Sequence, residues 1–183
     1  MVICRGKGSS LILEQVLTCS KMRLDPFSFF PITNPVAMRK LGGVIADASE
    51  PSSVIYLQGD LGAGKTTLVR GFLRSLGYLG HVRSPTFNLF EVYQIKTKVI
   101  CHFDLYRLTN PEELIYIGIS DYFTEKNICL IEWPEHGKGF LQPADLVCKF
   151  NFIPGKRGRD VEIIATSSKG RRMLKKIIQK KDV

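Results

Sequence analysis

The chain contains the run Gly59-Asp60-Leu61-Gly62-Ala63-Gly64-Lys65-Thr66-Thr67. Glycines at this spacing allow a loop to turn its backbone N–H groups inward around phosphate groups, where side chains would block the anion. The lysine then supplies positive charge to the phosphates, and the first threonine offers its hydroxyl to Mg²⁺. The run therefore predicts a site for a nucleoside triphosphate with magnesium. The alternative is a glycine-rich turn that holds no ligand.

The residues on either side of this run supply the structural context that the motif needs. Ser53–Gln58 is a short β-branched and aromatic run, which predicts a buried strand. Residues 65–76 carry leucine and phenylalanine at helical spacing, and Gly77 is a suitable C-terminal cap. A helix that begins at Gly64 directs its positive end toward a bound phosphate. The order strand, loop, helix favours an α/β fold.

The rest of the chain alternates between helical and strand patterns. Asn34-Pro35 and Asn110-Pro111 are helix starts. Residues 87–95 and 99–104 predict an antiparallel hairpin, and 128–131 a strand buried on both faces. A further strand pair is predicted at 146–153 and 160–165, followed by a basic helix at 168–180.

Composition and charge favour one globular domain with basic ends. The chain has 183 residues, of which 44% are hydrophobic and 23% charged, and its net charge is +9. Residues 25–154 hold twelve basic and thirteen acidic residues, so the excess lies in the terminal segments. We predict a leader at 1–24, an ATPase domain at 25–167 and a basic C-terminal helix or tail at 168–183. That tail is either a solvated face or a contact for tRNA or an acidic partner.

The cysteines and the N-terminal segment bear on the cellular compartment. The five cysteines form no C-x-x-C pair, and we expect neither disulfides nor a zinc site. No apolar run is long enough to span a bilayer. Residues 1–21 resemble a signal sequence, but Glu14 and Gln15 interrupt the apolar stretch, and Met22 is an alternative start. An ATP-dependent domain needs the cytoplasm, where we place the protein.

Two acidic residues are candidates for the catalytic half of the site. Hydrolysis requires a carboxylate on the magnesium side and a group that orients water. Glu132 follows the buried strand and is assigned to Mg²⁺ together with Thr66, whereas Asp104 ends another strand and is assigned to the water. The reverse assignment stays open, as does the interpretation that both are exposed acids at strand ends.

Four further side chains have two interpretations each. His102 is either a proton shuttle or part of a structural hydrogen-bond network. Trp133 either responds to the nucleotide or packs in the core. Arg107 and Arg159 either neutralise phosphate charge or form surface salt bridges.

Four motifs in this order resemble the TsaE (formerly YjeE) family of bacterial ATPases, which are required for threonylcarbamoyladenosine (t6A) formation in tRNA. They are Gly59–Thr67, Ser84-Pro-Thr-Phe87, His102-Phe-Asp-Leu-Tyr-Arg107 and Glu132-Trp-Pro134.

The resemblance implies a three-layer P-loop fold with a mixed central sheet flanked by helices. It implies that the loop with Lys65 binds ATP, that Thr66 and Glu132 hold Mg²⁺, and that Asp104 and Trp133 are needed for activity. Residues 84–87 would form a mobile switch near the γ-phosphate, and Arg159 would lie beside the nucleotide. Met38 stands where the family often has a threonine.

The resemblance also implies partners, namely the TsaD and TsaB subunits that transfer the threonylcarbamoyl group. ATP hydrolysis would reset that complex, and tRNA would be reached through it. Two other functions remain: a P-loop kinase of a small metabolite, and a nucleotide-gated binding module without turnover.

Overall fold

A seven-stranded mixed sheet organises the chain in the computed structural model, which describes residues 26–85, 88–155 and 158–181. The strands are β1 (Phe27–Ile32), β2 (Val54–Gln58), β3 (Phe90–Ile95), β4 (Lys98–Asp104), β5 (Asn127–Glu132), β6 (Leu146–Phe152) and β7 (Arg159–Ala165). The helices are α1 (Pro35–Ala48), α2 (Lys65–Ser75), α3 (Glu113–Tyr116) and α4 (Ser168–Lys181), and 3₁₀ turns lie at Ile119–Tyr122 and Pro134–Gly137.

The sheet has a parallel centre and antiparallel margins. Its strand order is β1-β7-β6-β2-β5-β4-β3. Strands β6, β2, β5 and β4 run parallel to one another, whereas β3, β7 and β1 each pair antiparallel with a neighbour. Because the central strands share one direction, their carboxyl ends meet at one edge of the sheet, which is where ligands bind in open α/β folds.

The start of α1 and the end of α2 follow the local sequence signals. The Asn34 side chain accepts hydrogen bonds from the backbone N–H groups of Val36 and Ala37, each at 2.9 Å, and caps α1. At the end of α2, Gly77 has φ +97° and donates to Arg74, while the next N–H, of Tyr78, reaches back to Leu73. This pair of bonds is a Schellman motif, so the predicted glycine cap is confirmed.

The two faces of the sheet are covered unequally, which gives three layers. One face packs against α1, α2 and α4 through a large apolar cluster that includes Ile55, Leu57, Phe72 and Met173. The other face carries a smaller cluster around Phe103 and is covered by α3 and the two 3₁₀ turns. The predicted mixed-sheet α/β fold is confirmed.

Two elements differ from the sequence prediction. The strand β1 was not predicted, because Pro31 interrupts its sequence pattern. The strand nevertheless alternates, with Phe30 and Ile32 buried and Phe27 and Phe29 exposed. Proline is tolerated there because β1 is an edge strand. The helix that starts after Asn110 is only the single turn α3, which ends before Gly118 at φ +64°.

Helix α4 is packed onto the helical face of the sheet. Its residues Met173, Leu174 and Ile177 are buried, and Arg172 and Lys176 both pair with Glu50. Lys180 pairs with Asp47 on α1. None of the helices within the three described ranges is long and apolar enough to cross a membrane. The predicted leader at residues 1–24 lies outside the described residues.

Candidate functional site

The sheet brings residues that are far apart in sequence together at its carboxyl edge. The glycine-rich loop follows β2 directly, Asp104 ends β4 and Glu132 ends β5. In the register of the sheet Glu132 lies beside Leu57 on one side and beside Asp104 on the other. The two predicted carboxylates are therefore neighbours, and both are at least 96% buried, with exposed fractions of 4% for Asp104 and 2% for Glu132.

The loop has a backbone that only glycine adopts without strain. Gly59, Gly62 and Gly64 have φ values of +146°, +77° and +106°. A Cβ on Gly59 would also lie 2.6 Å from the carbonyl oxygen of Phe150. Gly64 precedes the first turn of α2 and offers no side chain to cap it. The N–H groups of that turn are therefore suited to an anion.

Lys65 is folded along this loop. Its ammonium group donates to the carbonyl oxygens of Gly59 and, at 3.0 Å, of Asp60. It also lies 3.9 Å from the centre of the Trp133 ring, a cation–π contact. Burial lowers the pKa of Lys65, and the negative charges of Glu132 and Asp104 oppose this shift. The long side chain of Lys65 thus places its positive charge at the mouth of the loop.

Thr66 and Glu132 are in hydrogen-bond contact beside the loop. The threonine hydroxyl lies 2.9 Å and 3.2 Å from the two carboxylate oxygens of Glu132. On the other side, Nε2 of the fully buried His102 lies 2.9 Å from Oε1 of Glu132, and the ring therefore fixes the carboxylate. The position of His102 agrees with the structural interpretation of this residue.

These oxygen donors fit magnesium. Hydroxyl and carboxylate oxygens are its usual protein ligands, and it commonly completes its shell with water and substrate phosphates. Across the described ranges no three His, Cys, Asp or Glu side chains cluster as a self-sufficient metal site. A pair of oxygen donors beside a phosphate-type loop is therefore the arrangement to be expected for Mg²⁺ bound together with a nucleotide.

Asp104 has a different set of partners. One carboxylate oxygen accepts a hydrogen bond from the hydroxyl of Ser84, and the other accepts from the backbone N–H of Tyr106 at 3.2 Å. Ser84 begins the predicted switch segment, of which Thr86 and Phe87 lie outside the described residues. Ser84 thus ties the start of that segment to the carboxylate at the end of β4.

Arg159 lies on the opposite side of the loop. Its guanidinium donates to the carbonyl oxygen of Gly62 at 3.2 Å and stacks 4.0 Å above the ring of Phe152. The Nε atom is buried and has no hydrogen-bond partner among the described residues. An adjoining open cavity of about 180 Å³ is lined by Ile32, Thr33, Asn34, Pro35, Met38, Gly62, Ala63, Gly64, Thr67, Gly158 and Arg159.

Part of this cavity wall was not predicted from the sequence. Residues Ile32 and Thr33, at the end of the unpredicted strand β1, had no motif to mark them. Gly158 has φ +140°, and a Cβ there would lie 2.9 Å from the carbonyl oxygen of Ile32. This glycine therefore lets the chain before β7 approach the cavity. The adjacent residues Gly158 and Arg159 were the only sequence signal for this part of the wall.

Trp133 and Arg107 occupy the outer part of the site. Trp133 has a left-handed backbone with φ +57°, and its ring centre lies 5.0 Å from that of Tyr106. It is half-buried, and it both packs against the smaller apolar cluster and contacts Lys65 beside the loop. Arg107 is exposed, three residues beyond Asp104. Arg159, by contrast, contacts the loop directly through Gly62.

The family model described as "Threonylcarbamoyl adenosine biosynthesis protein TsaE" matches residues 32–161, more than half of the chain. The chain belongs to the TsaE family. Its role therefore lies in the biosynthesis of threonylcarbamoyladenosine in tRNA.

Individual TsaE proteins agree with this membership. The tRNA threonylcarbamoyladenosine biosynthesis protein TsaE of Haemophilus influenzae is 48% identical over 126 residues, which cover 69% of this chain and 78% of that protein. The protein of the same name from Bacillus subtilis is 37% identical over 100 residues, or 55% of this chain and 62% of that protein. For the fold alone, a crystal structure of YdiB from Bacillus subtilis superposes with a TM-score of 0.73 at 24% identity, covering 85% of this chain and 96% of that one.

Proposed function

We propose that this TsaE protein binds ATP with Mg²⁺ in the Gly59–Thr67 loop and hydrolyses it as an accessory of the threonylcarbamoyl transferase. The observation that carries the proposal is the hydrogen bond between the Thr66 hydroxyl and the Glu132 carboxylate at the mouth of the loop. Asp104 lies on the adjacent strand, so a hydroxyl, two carboxylates and an ammonium group converge on one point.

Each of these residues has a distinct task. The N–H groups of the loop and Lys65 bind the phosphates, and Thr66 and Glu132 hold the metal. When bound, Mg²⁺ neutralises the charge that develops on the transferred phosphoryl group. Asp104 orients the attacking water, because its carboxylate is the acid next to the metal ligands that does not itself contact Thr66.

The base of the nucleotide fits the cavity beside Arg159. The guanidinium is already stacked on Phe152, and its buried Nε has hydrogen-bonding capacity to spare. Met38 supplies an apolar wall there in place of a hydroxyl. This cavity supports binding of a purine ring but carries no feature that separates ATP from GTP by itself.

The partners follow from the family resemblance and the pathway. TsaD and TsaB are the proposed partners, with tRNA contacted as part of that assembly in the cytoplasm. Ser84 provides the structural link: a segment bonded to Asp104 changes its anchorage when the carboxylate engages water. Hydrolysis can thereby alter a surface that a partner contacts.

The experiment is a phosphate-release assay with Mg·ATP, run with and without TsaD and TsaB. We expect slow release by the chain alone and faster release with both partners. Replacing Asp104 with asparagine should lower the rate about 100-fold or more while leaving ATP binding in place. Asp121→Asn, the same change at an exposed residue outside the site, is the matched control.

Other outcomes assign the site differently. ATP binding without release under any condition would favour a nucleotide-gated binding module. Transfer of the phosphoryl group to a metabolite instead of water would favour a kinase. Release by Asp104→Asn at the wild-type rate would contradict the assignment of this residue to the water.

A further inference from the structure

A basic concavity lies beside the helices α1 and α2, and it shares no lining residue with the cavity next to the glycine-rich loop. It is open, measures about 300 Å³ and is lined by Arg39 of α1, Arg70 and Arg74 of α2, and Gly80, His81 and Val82 of the following segment. We call it the arginine concavity, meaning Arg39, Arg70, Arg74 and His81. All four side chains belong to exposed residues.

Close packing of two helices creates this cluster. A Cβ on Gly71 would lie 2.1 Å from the carbonyl oxygen of Arg39, and a Cβ on Gly42 would lie 2.1 Å from that of Leu68. The two glycines thus let the backbones of α1 and α2 touch. As a result Arg39 is brought beside Arg70 and Arg74, which are one helical turn apart.

The positive charge in the concavity is not neutralised by the protein. Within the ranges that the structure describes, neither the three arginines nor His81 lies within ion-pair distance of an Asp or Glu side chain. The exposed cations of α4 differ, because Arg172 and Lys176 pair with Glu50 and Lys180 pairs with Asp47. A near-neutral central sequence therefore folds into a surface with a local excess of positive charge.

Two of the three arginines are held in place by hydrogen bonds. Nε of Arg70 donates to the carbonyl oxygen of Val82 at 3.0 Å, and Nη1 of Arg74 donates to that of Tyr78 at 3.0 Å. Each guanidinium keeps further N–H groups for a ligand. Planar guanidinium groups fixed in this way are suited to phosphate oxygens, which they bind through two parallel hydrogen bonds.

We propose that the arginine concavity binds the phosphate backbone of RNA, with tRNA as the class of partner. Its lining is cationic and lacks the aromatic anchors that dominate the centres of protein–protein interfaces. Phosphate contacts of this kind position a nucleic acid without reading its sequence. The proposal is independent of ATP hydrolysis, although Val82 lies only two residues before Ser84 at the nucleotide site.

The test is binding of an unmodified, fluorescently labelled tRNA transcript to the full chain without nucleotide. The variant Arg39→Gln/Arg70→Gln/Arg74→Gln should bind about ten-fold or more weakly at moderate salt. Its plot of log affinity against log salt should be shallower by about 2, because roughly three phosphate contacts are lost. Arg171→Gln/Lys175→Gln/Lys176→Gln removes the same charge from α4 and should change affinity by about two-fold or less.

A second variant guards against misfolding. Arg70→Gln breaks the bond to Val82, whereas Arg39→Glu removes no hydrogen bond that the structure describes and should by itself weaken tRNA binding with an unchanged melting temperature. Equal losses in the arginine and α4 variants would overturn the proposal. So would absence of tRNA binding, including the case in which a poly-glutamate probe binds instead and reveals an acidic-protein surface. Neither result would affect the phosphate-release assay.

Discussion

At the residue scale, the site depends on how Glu132 is held. A carboxylate that coordinates metal must be fixed in direction, and two groups fix this one, the Thr66 hydroxyl and the buried His102 ring. Only the first of these would contact the metal. His102 therefore acts as a positioning residue, and its contribution can be separated from that of the ligand itself.

Replacing His102 with alanine should lower both stability and the response to magnesium. The Glu132 carboxylate would lose a buried hydrogen bond, for which we expect about 1–3 kcal/mol of destabilisation. Urea denaturation measures this loss, and titration of phosphate release with Mg²⁺ measures the shift toward higher metal concentration. His102→Gln, which keeps a donor, should recover part of both. An alanine variant with wild-type stability and magnesium response would contradict the role given to His102.

The sequence named most of the residues that the fold brings together at this edge of the sheet, because the glycine-rich motif has a fixed spacing and its chemistry is local. The sequence could not decide which of Asp104 and Glu132 serves the metal and which the water. Both are acids at strand ends, and they differ only in the tertiary contacts that each makes. The contact of Glu132 with Thr66 and of Asp104 with Ser84 appears only when β2, β4 and β5 are adjacent. That contact pattern supports the assignment made here but its catalytic part stays a prediction.

At the element scale, the contact between α1 and α2 is set by glycine. Gly42→Ala would place a methyl group 2.1 Å from the carbonyl oxygen of Leu68 and 2.9 Å from the backbone nitrogen of Phe72. Both helices would have to separate, and we expect destabilisation of about 3 kcal/mol or more. Thermal or urea unfolding measures the loss.

Gly43→Ala is the matched control on the same helix. Its Cβ would lie 3.3 Å from the Ser75 side chain and 3.9 Å from the carbonyl oxygen of Gly71, while alanine favours the helix over glycine by up to about 1 kcal/mol. We expect a change near zero or a small gain. Equal losses at both positions would show that the close approach of the helices does not determine stability there.

The docking of α4 should depend on pH in the acid range. Arg172, with Lys176, holds the pKa of Glu50 at about 2, well below its ordinary value of 4.5. The resulting stabilisation of the folded state is complete above pH 4.5 and is lost as the pH falls from 4.5 to about 2. Solvent screening reduces its size, since both basic side chains are at least half exposed.

Urea unfolding of wild type and Glu50→Gln tests this dependence. The stability difference between them should be largest at neutral pH, shrink between pH 4.5 and pH 2, and be smaller at high salt. Glu125→Gln, at an exposed residue outside this cluster, should show no such trend. A difference that stays constant down to pH 2 would contradict the pairing.

Prediction of the elements succeeded where the sequence pattern was periodic. The hairpin of β3 and β4, the buried β5, the pair β6 and β7, and the basic helix α4 all lie within a few residues of their predicted positions. The failure at β1 has a physical cause: this edge strand has one exposed face and contains Pro31, and only pairing with β7 makes it a strand. The length of α3 is likewise limited by Gly118, not by its start signal.

At the scale of the whole molecule, the sheet brings the residues of the nucleotide site together at one edge. The packing of α1 against α2 brings the exposed arginines together. Neither gathering is visible in the sequence, where Arg39 and Arg74 are 35 positions apart and Lys65 and Glu132 are 67. Net charge counted along the chain placed the basic excess at the termini. The fold instead pairs much of the α4 charge with acids and leaves the arginine concavity unpaired.

Calorimetric titration of the folded chain with ATP in the presence of magnesium tests whether the glycine-rich loop binds a nucleotide. We expect saturable heat with one nucleotide per chain, a weaker interaction when magnesium is chelated, and loss of about 100-fold or more in affinity for Lys65→Ala. Heat of mixing that is absent in wild type, or unchanged in Lys65→Ala, would contradict the nucleotide site described for this TsaE protein.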